Sequence, residues 1–496
     1  MNTIGTLRKS LLAGLLAVSP LAPTGGAQET GEMETLVRRF AEVYSAVEAE
    51  AADPVVPYQA FFAGAIPGML KRLDPHSVFF DPDHLEQLKQ LQRATRKGFG
   101  SVVSLLPGRV FILQTIPGAP AERSGIAPGD EILAINGIAL ARLSIEQLVG
   151  LLSQARQSEV KLHVRRSGSP SLLEFTMAPA SMESQSVDLF FTPRPGIGYV
   201  RAKSFEIDTG RRIKEAIDKL GGNELRGLIL DLRGNRGGLM AAALDTAMLF
   251  LDPGQVIVGV RGRGTKTEEM KAPEDATPYR FPVAVLIDED SASGSEIVAG
   301  ALQDHDRGAV IGVPSFGKGL VQQVYELSEE TGLALTTAYY YTPSGRSIQR
   351  PLHDGQLTGE SAGDELEYRT DSGRTVRGGG GIRPDHLVYP EPMGRLRIVL
   401  EASGVFPAFA TEAIRELGPV TEDLAVNSEL LDQFQAWLAE RNIQPSVSEW
   451  SPEREWIRSR LKQEIFNQTL GVDQGDQVEL ERDPRVVKAL DLIAGN

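Results

Sequence analysis

The sequence predicts a multidomain α/β protein with helical regions towards both ends. Three observations carry this expectation. The chain has 496 residues, too many for one hydrophobic core, so three or four units are expected. Apolar runs at 197–201, 227–232, 283–287 and 309–313 have the length and β-branched content of buried parallel strands, with helical patterns between them. Outside that stretch, apolar residues return to helical spacing on both sides.

Composition narrows the function classes. Hydrophobic residues make up 41% and charged residues 24%, ordinary values for a soluble globular protein. The 51 basic and 66 acidic side chains leave a net charge of −15, which argues against general nucleic-acid or anionic-membrane binding. Cysteine is absent. That excludes thiol catalysis, disulfides, zinc–thiolate sites and a lipoprotein anchor, and it fits an oxidising compartment.

Arg8 and Lys9 precede the apolar Leu11 to Val18, and small residues follow as far as Ala27. Residues 1–27 therefore read as a cleavable secretory signal, cut between Ala27 and Gln28. The apolar run is shorter than the roughly 18–20 residues of a membrane span, and nothing later reaches that length. Residues 28–97 read as a helical region, with Leu36, Phe40, Val43 and Val47, then Leu85, Leu88 and Leu91, at helical spacing. Asp81-Pro82-Asp83 is a helix start signal. Leu73-Asp74-Pro75-His76-Ser77 is a turn between them, in which His76 is expected to hydrogen-bond nearby backbone rather than act as a catalytic base.

Residues 98–180 hold a second pattern. Gly98-Phe99-Gly100-Ser101 is a tight turn, with strands expected at 102–105 and 109–116 and a short helix from Pro120. Pro128 to Gly137 follows, then a helix at 144–155 with apolar Ile145, Leu148, Leu151 and Leu152. In that order these segments resemble a complete PDZ domain, a small β-barrel-like fold. The resemblance implies that a protein tail adds to the domain as a strand, with its terminal carboxylate cradled by Gly98, Phe99, Gly100 and Ser101. The connections at 93–97 and 180–185 read as flexible turns, so the domain's position is expected to be adjustable.

Residues 181–393 form the expected α/β core. A helix at 208–220 turns Ile213, Ala216, Ile217 and Leu220 inward, and the glycines of Asp231-Leu232-Arg233-Gly234-Asn235-Arg236-Gly237-Gly238 let backbone approach a ligand closely. After the strand at 283–287, Ser291-Ala292-Ser293-Gly294-Ser295-Glu296 opens a helix, with Ser293 and Glu296 at capping-box spacing. A serine there lies at the positive end of a helix, where free N–H groups can hold an oxyanion. The plainer reading is an ordinary N-cap. Further on, Lys318, Leu320 and Gln322 are two apart and share one face of an expected strand. Burial depresses a lysine pKa by up to about 3–5 units, leaving an amine able to take a proton from a serine. Gln322 would orient that amine. His305 follows Ser293 by 12 residues, on the helix leading away from it, and is a poor base. Gly312 to Gly319 matches a phosphate-binding loop in spacing, but Gly319 stands where a serine or threonine is required and a strand follows.

SASGSE followed by GKGLVQ, with Lys318 lying 25 residues after Ser293, resembles the carboxyl-terminal processing, or tail-specific, serine proteases. DLRGNRGG and LDPHS also resemble that family's signatures, and the likeness runs from about residue 34 to 390. It implies a crotonase- or Clp-protease-like α/β core with Ser293 as nucleophile, Lys318 as general base and Gln322 as its orienter. Backbone amides of Gly294 and of Gly237 or Gly238 would form the oxyanion hole. It further implies no metal or cofactor, protein or peptide substrates with apolar C-termini, and a periplasmic location. Three features depart from the family pattern. Arg236 replaces a common proline, Gly294 replaces the usual alanine, and an acidic, glycine-rich insertion at 354–379 precedes Gly381-Ile382-Arg383-Pro384-Asp385. The first two keep their backbone donors, and the insertion reads as an exposed hairpin or mobile loop.

Residues 394–496 turn helical again, with stripes at Leu430, Phe434 and Leu438, at Trp456, Ile457, Leu461 and Ile465, and at Val486, Val487, Leu490 and Leu492. Packing within the chain is the first expectation, and a homo-oligomer or adaptor-protein surface the second. The rival function is a catalytically silent PDZ adaptor with a protease-like core. The intact Ser293, Lys318 and Gln322 argue against it.

Overall fold

The computed structural model describes residues 27–91, 95–183, 185–264, 267–353, 356–357 and 366–495. The expected secretory signal, apart from Ala27, lies outside these residues. A six-stranded sheet forms the centre, in the order 187–194, 197–202, 227–231, 283–287, 308–312 and 386–387. Its first pair is antiparallel and the rest are parallel. All four expected core strands lie side by side in it. Gly227–Asp231 and Val283–Ile287 are buried at every position, as strands covered on both faces must be.

Helices Thr209–Lys219, Met240–Met248 and Gly294–Asp304 cover one face, where Ile213, Ala243 and Val298 pack on Leu230, Val285 and Ile287. The other face is covered from the far end of the chain. Val486, Ala489, Leu490 and Ile493 of the helix Pro484–Ala494 pack on Ile229, Ala284, Leu286 and Ile311. Burying Val486, Leu490 and Ile493 is worth about 5–9 kcal/mol before the cost of ordering the helix. Gly227 makes the approach sterically feasible, because a Cβ built there would stand 2.2 Å from Ile493 Cγ2.

Of the other C-terminal helices, Arg395–Ser403, Val405–Leu417, Ser428–Glu440 and Val447–Thr469 share a core around Phe406, Phe434, Leu438, Ile457, Leu461 and Ile465, whereas Leu480 of Val472–Leu480 joins the cluster on the central sheet. Most of the anticipated stripe residues are thus buried within this chain, while Trp456, Val487 and Leu492 are half-buried.

A second sheet places the LDPHS turn. Strand Gly332–Tyr341 pairs along its length with Leu320–Glu326, and at its start with Val78–Phe80. Residues 28–97 are therefore less helical than expected, because Val78–Phe80 is recruited by a partner more than 250 residues away. The long helix Ala27–Glu50 is present, but its stripe of Leu36, Phe40, Val43 and Val47 is exposed rather than buried.

Strands Ser101–Leu106, Arg109–Thr115, Glu131–Ile135, Val160–Arg165 and Leu173–Met177 form the sheet of the PDZ unit. Its helix Ile145–Ala155 is capped by Ser144, and its core is Val110, Ile112, Ile135, Leu148 and Val164. The connections expected as flexible turns are instead strands. Thr95–Gly98 pairs antiparallel with Ala180–Glu183. The C-terminal helices also grip the unit: Arg109 Nη1 donates to the Ser403 carbonyl at 3.2 Å, and the Val472 N–H donates to Gln114 Oε1 at 3.0 Å. Neither contact has a local sequence pattern.

The described half of the insertion is a hairpin, Glu367–Arg369 with Thr375–Arg377, as expected, but it is not a free loop. Asp371 meets His305 Nδ1 at 2.7 Å, and Arg374 pairs with Asp306 and Asp385, each at 2.6 Å. Thr370 and Val376 are buried. Acidic groups at the end of the helix Gly294–Asp304 thus tie the hairpin down. Residues 354–355 and 358–365 lie outside the described part.

Candidate active site

Strand Val283–Ile287 delivers the chain to Ser293, which immediately precedes the helix Gly294–Asp304. Ser293 has φ 55° and ψ −110°. An ordinary N-cap lies in the β region, whereas a non-glycine residue here bears strain of order 1–3 kcal/mol. The turn is held by its surroundings. The Ser291 hydroxyl donates to the Leu232 carbonyl at 2.8 Å, and the Gly234 N–H donates to the Asp288 carboxylate at 2.9 Å.

The glycine-rich segment lies directly against this turn. A Cβ on Gly237 would stand 2.8 Å from Ser293 Cβ and 3.0 Å from the Gly294 nitrogen. Gly237 has φ 93° and Gly238 φ 148°, which glycine alone adopts readily. The two glycines differ in one respect. The Gly237 N–H already donates to Asn235 Oδ1 at 2.9 Å. Asn235 is itself fixed, its Nδ2 donating to the Ala202 carbonyl and its own carbonyl accepting from Ala292 N–H and the Ser295 hydroxyl.

Glu296 joins Ser293 to the lysine. Its buried carboxylate accepts from Ser293 N–H at 2.8 Å, the Ser315 hydroxyl at 2.5 Å, Gly317 N–H at 2.7 Å and Lys318 N–H at 2.9 Å. Burial pushes the Glu296 carboxyl above the ordinary carboxylate range, while these four donors pull the other way. The sequence suggested only a capping role. Its reach to the 315–318 loop depends on tertiary placement.

Lys318 lies in that loop, just ahead of strand Leu320–Glu326 rather than within it. The expected pairing with Gln322 nevertheless forms, with Nζ donating to Gln322 Oε1 at 2.8 Å. Burial lowers the Lys318 pKa, and the nearby charges of Asp74 and Glu296 offset this in part. Gln322 is anchored in turn, its Nε2 donating to the His76 carbonyl at 2.6 Å. Asp74 shapes that turn by accepting from His76 N–H, Ser77 N–H and the Ser77 hydroxyl at 2.7–2.8 Å. The LDPHS motif thus supports the lysine through a carbonyl, which residue types alone did not reveal. Burial and the Lys318 charge lower the His76 pKa, and the nearby Asp74 carboxylate offsets this in part. His305 sits at the far end of an 11-residue helix, about 18 Å from Ser293 by helical rise, and its ring meets Asp371 and the Val256 carbonyl.

The tail-binding candidates form one turn of the PDZ unit. Gly98 ends the strand Thr95–Gly98, Phe99 and Gly100 make the bend, and Ser101 begins the next strand. The Phe99 and Gly100 carbonyls accept from Ala121 and Ile116 N–H, each at 2.8 Å. No hydrogen bond among the described residues joins this turn to Ser293 or Lys318. No group of three or more His, Asp or Glu side chains suited to a metal ion occurs among the described residues.

Residues 196–354 match Peptidase family S41, and residues 111–166 match a PDZ domain. A carboxy-terminal-processing protease of Bartonella bacilliformis is 33% identical over 346 residues, covering 68% of this chain and 78% of its own length. The chain belongs to the carboxy-terminal processing protease family. A carboxyl-terminal-processing protease of Synechocystis is 34% identical, covering 58% of this chain and 68% of its own. The carboxy-terminal processing protease CtpA of Bacillus subtilis is 33% identical, covering 58% and 61% respectively. This family member is a serine-type peptidase with an S41 fold and a PDZ domain.

In this processing protease the Glu296 tie carries a stability consequence. Glu296→Gln keeps the volume but turns an amide NH2 towards donors that need an acceptor. A loss of about 2–5 kcal/mol in urea unfolding is expected, together with a lower kcat. An unchanged unfolding midpoint and rate would show that the carboxylate does not hold the two loops.

Proposed function

We propose that this protein is an exported endopeptidase that reads the C-terminal tails of protein substrates through its PDZ domain and cleaves them with a Ser293–Lys318 dyad. The observation that carries this reading is the half-buried Lys318 amine. Its pKa is depressed, its ammonium faces Gln322, and its loop shares the Glu296 carboxylate with Ser293.

Neutral Lys318 takes the proton of the Ser293 hydroxyl as Oγ attacks the scissile carbonyl. The oxyanion forms against the Gly294 N–H, at the first helical position where a helix offers no acceptor of its own. Gly238 supplies the second donor, because the Gly237 N–H is committed to Asn235. Lys318 then protonates the leaving amine, and the acyl-enzyme is hydrolysed by water with Lys318 again as base. Gln322, held by the His76 carbonyl, keeps the amine aimed. Arg236, where the family commonly has proline, is 81% exposed and pairs with Asp290, so it leaves this path open.

Tail reading rests on the Gly98–Ser101 turn, and export on the basic and apolar pattern ahead of Ala27. None of the described helices is long and apolar enough to cross a membrane. Amidating the terminal carboxylate removes charge-assisted hydrogen bonds to that turn, each worth about 1.5–3 kcal/mol. An unfolded substrate with a free apolar C-terminus is therefore expected to be degraded at least about tenfold faster than its amidated twin at subsaturating concentration. Equal rates would detach the PDZ domain from tail reading while leaving the dyad standing.

A further inference from the structure

The signature Asp231–Gly238 is held from two sides, and one of them lies in the C-terminal extension. On the near side, Asp231 accepts from the Tyr199 hydroxyl at 2.5 Å and from Arg233 Nε at 2.8 Å. On the far side, Arg233 Nη1 donates to Asp483, and these Arg233, Asp231 and Asp483 side chains are 11%, 1% and 12% exposed. Asp483 is an organised acceptor. It caps the helix Pro484–Ala494 through Arg485 N–H at 2.8 Å and also accepts from Arg485 Nε and Nη2 at 3.1 and 3.0 Å. Burial raises its pKa, but the hydrogen bonds and charges of Arg485 and Arg233 hold it down at about 2. It is therefore ionised at any working pH.

We propose that Asp483 is a positioning residue of the peptidase site, holding Arg233 and through it the 232–238 segment whose backbone meets Ser293. Arg233 opens that segment, and Gly237 closes it against Ser293 Cβ and the Gly294 nitrogen. Asp231 takes the Nε and Nη2 edge of the nearly buried guanidinium and Asp483 takes Nη1, so losing the Asp483 charge leaves one end of the group poorly paired and free to pull the segment with it. Movement of the glycines misplaces an oxyanion donor, which lowers turnover more than ground-state binding. The inference rests on the proposed oxyanion role of this segment. It makes the extension part of the catalytic apparatus and not only a cover for the sheet.

The test uses the whole chain and one peptide substrate. Asp483→Asn keeps the volume and an N-capping oxygen but removes the charge, and kcat is expected to fall about tenfold or more with KM within twofold of wild type. The control is Asp476→Asn, which breaks another bond from the extension to the sheet, Arg201 Nη2 to Asp476 at 2.6 Å, without touching the 232–238 segment. Its kcat is expected to stay within twofold. An unchanged kcat in folded Asp483→Asn, a loss confined to KM, or equal kcat losses in both variants would overturn the proposal. Should Asp483→Asn fail to fold, Asp483→Ser retains a capping oxygen and is judged by the same outcomes. Retained activity in Ser293→Ala would overturn the reading of the site itself. Wild-type turnover that depends on Ser293 but ignores Asp483 would overturn only this inference.

Discussion

Ser293→Ala abolishes proteolysis, with a loss on the order of 10⁶ in rate, and leaves the fold intact. The size of the effect follows from the acyl-transfer path proposed for this site, since no covalent intermediate forms without Oγ. The intact fold follows from what the substitution spares. The Cβ that meets Gly237 remains, and so does the Ser293 N–H that donates to Glu296. Alanine at φ 55° is no less strained than serine, so the unfolding midpoint is expected to move by less than about 1 kcal/mol equivalent. Initial rates on an unfolded protein with an apolar C-terminus check the first part, and a urea melt the second. Hydrolysis by the purified variant at near wild-type rate would sink the assignment. Absence of hydrolysis by the wild type itself would instead favour the silent adaptor.

Lys318→Arg keeps the positive charge and still loses activity by about 10³-fold or more, because a guanidinium does not give up its proton at working pH. The same reasoning fixes a pH dependence. In the proposed mechanism the amine works when neutral, so kcat/KM is expected to rise with pH through the Lys318 pKa. Burial places that pKa below the ordinary lysine value, despite the opposing charges of Asp74 and Glu296. Stability runs in a related direction. Between the depressed folded pKa and the ordinary value of about 10.4, the unfolded chain binds a proton that the folded chain refuses. The folded state is penalised as pH falls from the higher value towards the lower. A pH–rate profile flat across this range, or an active Lys318→Arg variant, would point to another base. His76 is then the candidate near the lysine, since His305 is held at the other end of its helix.

Much of the architecture was legible because its determinants are local. The runs at 227–232 and 283–287 announce buried strands by composition, and Ser293 with Glu296 announces a helix start by spacing. The pairing of Lys318 with Gln322 was legible for the same reason. What escaped the sequence depends on long-range partners. Val78–Phe80 becomes a strand only because 332–334 lies beside it. The flexible turns expected around the PDZ unit became a paired ribbon because Thr95–Gly98 and Ala180–Glu183 meet across the whole domain. Glu296 read as a cap, yet its other bonds run to Ser315, Gly317 and Lys318, about twenty residues on. That the Gly237 N–H is already paired depends on the position of one side-chain oxygen, Asn235 Oδ1, which the spacing of the glycines does not reveal. The role of the extension was equally hidden, since no periodicity tells which face of which sheet Val486 and Ile493 will cover.

The most direct measurement is covalent labelling of the full chain with a serine-reactive fluorophosphonate, followed by mass-spectrometric mapping of the adduct. The account predicts a single adduct on Ser293, formed in step with loss of proteolysis and greatly slowed in Lys318→Arg. Complete inactivation with the adduct on another residue, or continued proteolysis with Ser293 fully labelled, would contradict it.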